Sequence, residues 1–221
     1  MLIKFISIYF FAALLLIQVP VSAQQPKVLH IIPRYYGLNY YLNMEMFESF
    51  GWDVTLAGVT PTVPPCPYAS GHTSRSMDTL ISQITDVSQF DVIVIASQSW
   101  ISNPPNAYSD LLNSQAALDL IFAANDSGLV IWATCAGVRV LAAADIINGV
   151  NVQGRAGPGN IYANEIIAAG GIYQGSQIPP VIDGNIVTTT RGQYYMIQNC
   201  EAIMTALENT QTLRDKEGAT K

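Results

Sequence analysis

"VIWATCAGVRVLAAADIINGVNVQG" (130–154) decides how this chain is read, because it sets a cysteine where an apolar run stops and an Ala-Gly pair begins. The run "LVIWAT" (129–134) is short, apolar and β-branched, as suits a strand buried on both faces. "AGVRVLAAADII" (136–147) reads as a helix, so Cys135 stands on a strand-to-helix turn. A turn this tight needs small neighbours, because the presented residue is strained and crowded. Ala133, Ala136 and Gly137 supply them. Two readings follow for Cys135: a small buried side chain, or a nucleophile. In the second, the free N–H groups and dipole of the following helix favour a thiolate. The Ala136 N–H then donates to an oxyanion.

The same alternation extends outward. "KVLHII" (27–32), "WDVTLAGV" (52–59) and "FDVIVIAS" (90–97) read as strands. "LNYYLNMEMFESFG" (38–51) reads as a helix with Gly51 past its end, and "AYSDLLNSQAALDLIFAANDSG" (107–128) as one long helix ended by Gly128. "TPTVPPCPYASGHTSRS" (60–76) is a long loop. "IYANEIIAAGG" (161–171) predicts a helix, and "VIDGNIVTTTRG" (181–192) an Asp-Gly turn and a strand. "QYYMIQNCEAIMTALEN" (193–209) closes the fold as a helix, followed by a polar, mobile tail over 210–221. Strand and helix in alternation predict one α/β domain around a mostly parallel sheet. Such sheets bind ligands beyond the carboxyl ends of their strands, which is where Cys135 falls.

The chain has 221 residues, half of them apolar and 12% charged, enough for a sizeable core. Part of the apolar excess lies in "MLIKFISIYFFAALLLIQVPVSA" (1–23), which has the charged, apolar and cleavage regions of a secretory signal peptide. We therefore expect a mature domain over 24–209 in a secreted or periplasmic protein, with a membrane as partner only if the N-terminal segment is retained. Removing Lys4 with that segment takes the formal net charge from −6 to −7. With no Lys/Arg cluster, nucleic acid is not an expected partner.

The cysteines are Cys66, Cys135 and Cys200, an odd count that suggests one free thiol or an intermolecular bridge. A Cys66–Cys200 disulfide leaving Cys135 free is one arrangement to test. The two histidines and scattered cysteines show no ligand spacing, so no metal and no cofactor is expected. Asn125-Asp126-Ser127 is a glycan acceptor only in a eukaryotic source.

"DVIVIAS" before a long helix, then Ala133-Thr134-Cys135-Ala136-Gly137, then "DGNIVTTTRG" before a final helix resembles the ThiJ/PfpI family, within the class I glutamine amidotransferase-like superfamily. The similarity runs from about Lys27 to Leu207. It implies a flavodoxin-like three-layer sandwich with Cys135 as elbow nucleophile, and Gln98 and Ala136 N–H groups as oxyanion donors. The family's usual acidic residue after the first strand falls at Asn39, and its histidine before the Gly-Gly pair falls near Asn160. No histidine occurs after His72, and the Gly-Gly of the third strand reads Ser97-Gln98. Acyl-transfer hydrolysis needs a proton carrier, worth roughly 10²–10⁴ in rate, so protease or amidase activity is disfavoured. A lone thiolate can still add to an aldehyde or be oxidised.

Of the histidines, His30 reads as interior and His72 as a loop residue. Arg34 and Arg191 each follow a strand and stand either as pocket cations or in ordinary ion pairs, while Arg139 points away from the site. The tyrosines of "RYYGLNYYLN" (34–43) and Trp100 could wall an aromatic pocket, with Asn39 and Asn160 making it neutral and hydrogen-bonding. Two functions follow: cysteine chemistry on small carbonyl or amide-like substrates (glyoxalase/deglycase-, hydratase- or hydrolase-type), or a non-catalytic binding module or oxidant sensor. The expected partner is a small molecule. The resemblance adds a homodimer.

Overall fold

The apolar β-branched runs pair into one sheet, because strands with no polar face must be covered on both sides. The structure, a computed structural model, describes residues 25–67, 71–95, 106–176 and 179–218. The 1–23 segment, Ser97, Gln98 and Trp100 lie outside the described residues. In chain order the elements are β1 (Lys27–Ile31), α1 (Leu38–Ser49), β2 (Asp53–Gly58), β3 (Thr62–Val63), β4 (Arg75–Ser76), β5 (Thr79–Leu80), β6 (Val92–Ile95), α2 (Ser109–Leu112), α3 (Gln115–Asp126), β7 (Val130–Thr134), α4 (Val138–Ala143), β8 (Asn151–Val152), α5 (Ile161–Ala168), β9 (Ile172–Tyr173), β10 (Val181–Asp183), β11 (Ile186–Thr189) and α6 (Met196–Gly218).

The central sheet has seven strands in the order β10-β11-β7-β6-β1-β2-β5. Every pairing is parallel except the β10–β11 hairpin, which turns at Gly184 with φ +59°. Strand order reverses between β1 and β6, so their carboxyl ends frame the crevice where such sheets bind ligands. Side chains alternate between two cores. Leu29, Ile31, Ile93, Ile95, Ile131 and Ala133 pack under α3 and α4. Val28, Val92, Val94, Val130 and Trp132 pack with Phe47 of α1 and Cys200 and Ile203 of α6. This is the flavodoxin-like sandwich, with a mostly parallel central sheet, expected from the sequence.

Three expectations change. The long helix over 107–128 is two helices, α2 and α3, because Ser114 is extended and its Oγ accepts the Ala117 N–H at 3.3 Å. Serine gains more as a cap than inside a helix. The tail expected from Thr210 is helical through Gly218, anchored by Arg214, which donates to the carbonyls of Ser127 at 2.9 Å and Gly128 at 3.0 Å. No Cys66–Cys200 disulfide forms: none of the three cysteines is in a disulfide. Cys66 packs beside Tyr36, where its N–H bonds the Tyr36 carbonyl at 2.7 Å, whereas Cys200 lies under the sheet on α6. Among the described residues no helix is long and apolar enough to cross a membrane.

Candidate functional site at the Cys135 turn

Thr134 ends β7 in an extended conformation, and Cys135 then turns to φ +56° before the chain enters a 3₁₀ turn (Cys135–Gly137) and α4. Only three non-glycine residues among those described have positive φ, and Cys135 is one of them. A cysteine gains nothing locally from the left-handed region, which costs of order 1–3 kcal/mol. The surrounding packing must hold it there. Gly137 has no room for a side chain, since a Cβ there would meet the Ile95 carbonyl at 3.1 Å and the Tyr108 hydroxyl at 3.4 Å. The turn is thereby pressed onto the end of β6, beside the crevice. Cys135 itself is half-buried, Ala136 is buried, and both stand in a first turn whose N–H groups lack intrahelical acceptors.

The segment after β8 closes over the turn from the other side. The Arg155 N–H donates to the Cys135 carbonyl at 3.3 Å, and a Cβ on Gly154 would come within 3.0 Å of that oxygen. Gln153, fully buried, fixes this segment: its N–H donates to Thr188 Oγ1 at 3.0 Å, its Nε2 to the carbonyls of Pro179 and Thr188, and its Oε1 accepts from Thr190 Oγ1 at 3.0 Å. Tyr173 donates to the Gly154 carbonyl at 2.8 Å. Its phenol is raised above the usual tyrosine range, first by burial and further by the charge of Cys135, against a lowering hydrogen bond from Ser176. From the β11 side, Gly192 lies against Thr134, where a Cβ would come 3.1 Å from Cγ2.

The residues singled out in the sequence are not all gathered here. Asn39 is buried in the first turn of α1 with neither amide atom hydrogen-bonded, so it does not bond the thiol. Asn160 is exposed at the start of α5 with φ +61°, and α5 packs on the same face of the sheet as α4. Arg34 is exposed, donating to Tyr35 Oη at 3.2 Å and Ser109 Oγ at 3.4 Å. Burial raises the neighbouring Asp110 carboxyl, with the Leu111 N–H and Arg34 pulling it back. Arg191 is exposed just past β11, next to the glycine that touches Thr134. Arg139 is paired with Glu165 and stacked on Tyr162, 4.3 Å from the ring centroid.

His30 lies fully buried in β1, with Nε2 3.3 Å from Asn43 Nδ2 and Nδ1 unpartnered, and burial lowers its pKa to about 3. His72 Nδ1 sits 2.9 Å from Tyr41 Oη. Tyr36, Tyr40 and Tyr41 gather around the Arg75 guanidinium, 5.9, 5.8 and 5.4 Å from the ring centroids, so these rings hold a cation of the chain itself. Among the described residues no cluster of His, Cys, Asp or Glu could hold a metal ion. Sequence reasoning passed over Gln153, Arg155 and Tyr173; no local pattern marks them, because only the closure of 152–155 over the turn gives them a part in it.

Comparison with known proteins agrees with this architecture. The family model described as the DJ-1/PfpI family matches residues 27–206. No curated protein matches the sequence. Among solved structures, the chain is similar to a two-domain protein of Anabaena variabilis containing DJ-1/ThiJ/PfpI-like and ferritin-like domains, with 19% identity and a TM-score of 0.67; the match covers 84% of this chain and 49% of that one, about half its length. A ThiJ/PfpI domain protein of Brachyspira murdochii matches at 17% identity and TM-score 0.66, over 83% of this chain and 97% of that one. Drosophila melanogaster DJ-1beta matches at 21% identity and TM-score 0.64, over 87% and 97%. At these identities the structural likeness is one of fold, and the family rests on the match across the domain: the chain belongs to the DJ-1/PfpI family.

Proposed function

We propose that this protein takes up a small carbonyl or amide-like compound at the turn and engages it through the Cys135 sulfur. The observation that carries this reading is the left-handed backbone at Cys135, strain that a purely packing residue has no reason to bear. A thiolate there gains from the amide end of the following helix, and the Ala136 N–H is available to a developing oxyanion. Reversible addition to an aldehyde needs no neighbouring imidazole, which favours carbonyl chemistry of glyoxalase, deglycase or hydratase type over amide hydrolysis. The N-terminal segment supports export, so the compound would be met outside the cytoplasm.

The test is turnover of methylglyoxal and of a panel of small amides by the mature chain and by Cys135→Ser. Methylglyoxal consumption that disappears in Cys135→Ser supports the reading; equal behaviour of the two proteins overturns it. The second reading, a binding module or oxidant sensor, is favoured by Asn39, a neutral amide without any hydrogen bond at the position where the family resemblance puts an acid. Binding of the same compounds without turnover would select it.

A further inference from the structure

The chain has six arginines, and all six are described. Four are engaged within the fold: Arg34 with Tyr35 and Ser109, Arg75 with Tyr41 and its neighbouring rings, Arg139 with Glu165, and Arg214 with two main-chain carbonyls. Among the described residues, Arg155 and Arg191 are the arginines whose guanidinium groups have no hydrogen bond, ion pair or ring contact. Both are exposed, and the main chain of each adjoins the Cys135 turn. Arg155 is tied by its own N–H to the Cys135 carbonyl at 3.3 Å. Arg191 lies two residues past Thr189, which pairs in register with Thr134, and immediately before the glycine that touches Thr134. In a chain of net charge −6, where guanidinium groups elsewhere are satisfied internally, two unpaired arginines on adjoining segments that close against the Cys135 turn offer their cations to an anion there.

We infer that the compound taken up at this turn is a small oxo acid, an aldehyde or ketone carrying a carboxylate, with Arg155 and Arg191 holding the carboxylate while the carbonyl carbon faces the Cys135 sulfur. This rests on the reading of Cys135 as a reactive thiol and adds the charge of its substrate. The step is balanced without any further reactant. The thiol gives up its proton and a sulfur–carbon bond forms as the carbonyl π bond opens. The electron pair moves to oxygen, which takes a proton back through solvent to leave a hemithioacetal or hemithioketal. A planar guanidinium fork suits a carboxylate better than an ammonium would, and both arginines are exposed to the solvent from which a small anion arrives.

The experiment compares alkylation of Cys135 by iodoacetate, an anion, with that by neutral iodoacetamide, the modified residue being identified by mass spectrometry. In the mature chain at low salt, the iodoacetate-to-iodoacetamide rate ratio is expected to exceed that of Arg155→Gln/Arg191→Gln by about tenfold, the lower end of electrostatic focusing in a charged cleft. The excess should shrink as salt is added. Arg214→Gln, remote from the turn, should keep the ratio of the unaltered chain. Glyoxylate should also protect Cys135 from iodoacetamide at lower concentration than methylglyoxal does. A ratio unchanged in Arg155→Gln/Arg191→Gln, or insensitive to salt, overturns the oxo-acid assignment while leaving a reactive thiol in place. Failure of both reagents to modify Cys135 overturns the reading of the thiol and the assignment with it.

Discussion

A single backbone angle sets the character of the turn. Cys135 at φ +56° stores strain that glycine would not feel, so function and stability are expected to pull apart at this position. Cys135→Gly should be more stable than Cys135→Ala by about 1 kcal/mol in urea denaturation, because alanine keeps the Cβ that resists the left-handed region and glycine does not. Equal stabilities would remove the strain argument. His30 makes a second point at this scale. Burial lowers its pKa from 6.5 to about 3, so between those values the unfolded chain binds a proton that the folded chain refuses. Stability should therefore be full above about pH 6.5 and fall by up to about 1.4 kcal/mol per unit as pH drops through that window. His30→Gln, which cannot titrate, should flatten this slope when denaturation midpoints are compared at pH 7 and pH 5.

At the scale of elements, the turn is held by partners far away in sequence. Gln153 links the segment after β8 to Thr188 and Thr190 at the end of β11 through three buried hydrogen bonds, and to the Pro179 carbonyl through a fourth. Gln153→Ala keeps the main-chain bond but leaves Thr190 Oγ1 and two carbonyls with fewer partners, a cost of about 2–3 kcal/mol. Because the same segment carries the Arg155 N–H that bonds the Cys135 carbonyl, the substitution should also change the alkylation rate of Cys135. Denaturation and labelling of the one variant check both effects. Lost stability with unchanged labelling would make Gln153 structural only. The β7–α4 join was legible in advance, since an apolar run ending in Thr-Cys-Ala-Gly defines a turn locally. The break between α2 and α3 was not, because Ser114 fits a helical pattern until its cap is seen to form.

For the whole molecule, the parallel sheet places the Cys135 turn at its carboxyl edge, and α6 fastens the opposite end. There a cavity of about 450 Å³ is walled partly by Arg214, Asn185 and Asp126. The helix continues through residues that look like a dispensable polar tail. Ending the chain after Asn209 is therefore expected to lower the melting temperature by several degrees, equivalent to roughly 1–2 kcal/mol from the lost Arg214 bonds and helix packing. A truncated chain with an unchanged melting temperature would show that the last turns of α6 add nothing. The thiol of Cys200, raised to about 12 by burial and then by the charge of Glu201, fits a helix packed tightly at its other end.

Hydrophobic periodicity and turn composition by themselves determined the α/β class, the mostly parallel sheet and the presentation of Cys135 on a tight join. Those signals lie within a few neighbouring residues, where the chain's own sterics and the need to cover apolar strands decide the outcome. Tertiary structure alone decided that the Asn39 side chain is buried without a partner among the described residues while Asn160 lies exposed at the start of α5. It alone gave the guanidinium groups of four arginines partners inside the fold and left Arg155 and Arg191 exposed on segments that adjoin the Cys135 turn. Such pairings depend on which distant surfaces meet when the sheet closes, and the residues flanking each arginine carry no trace of that.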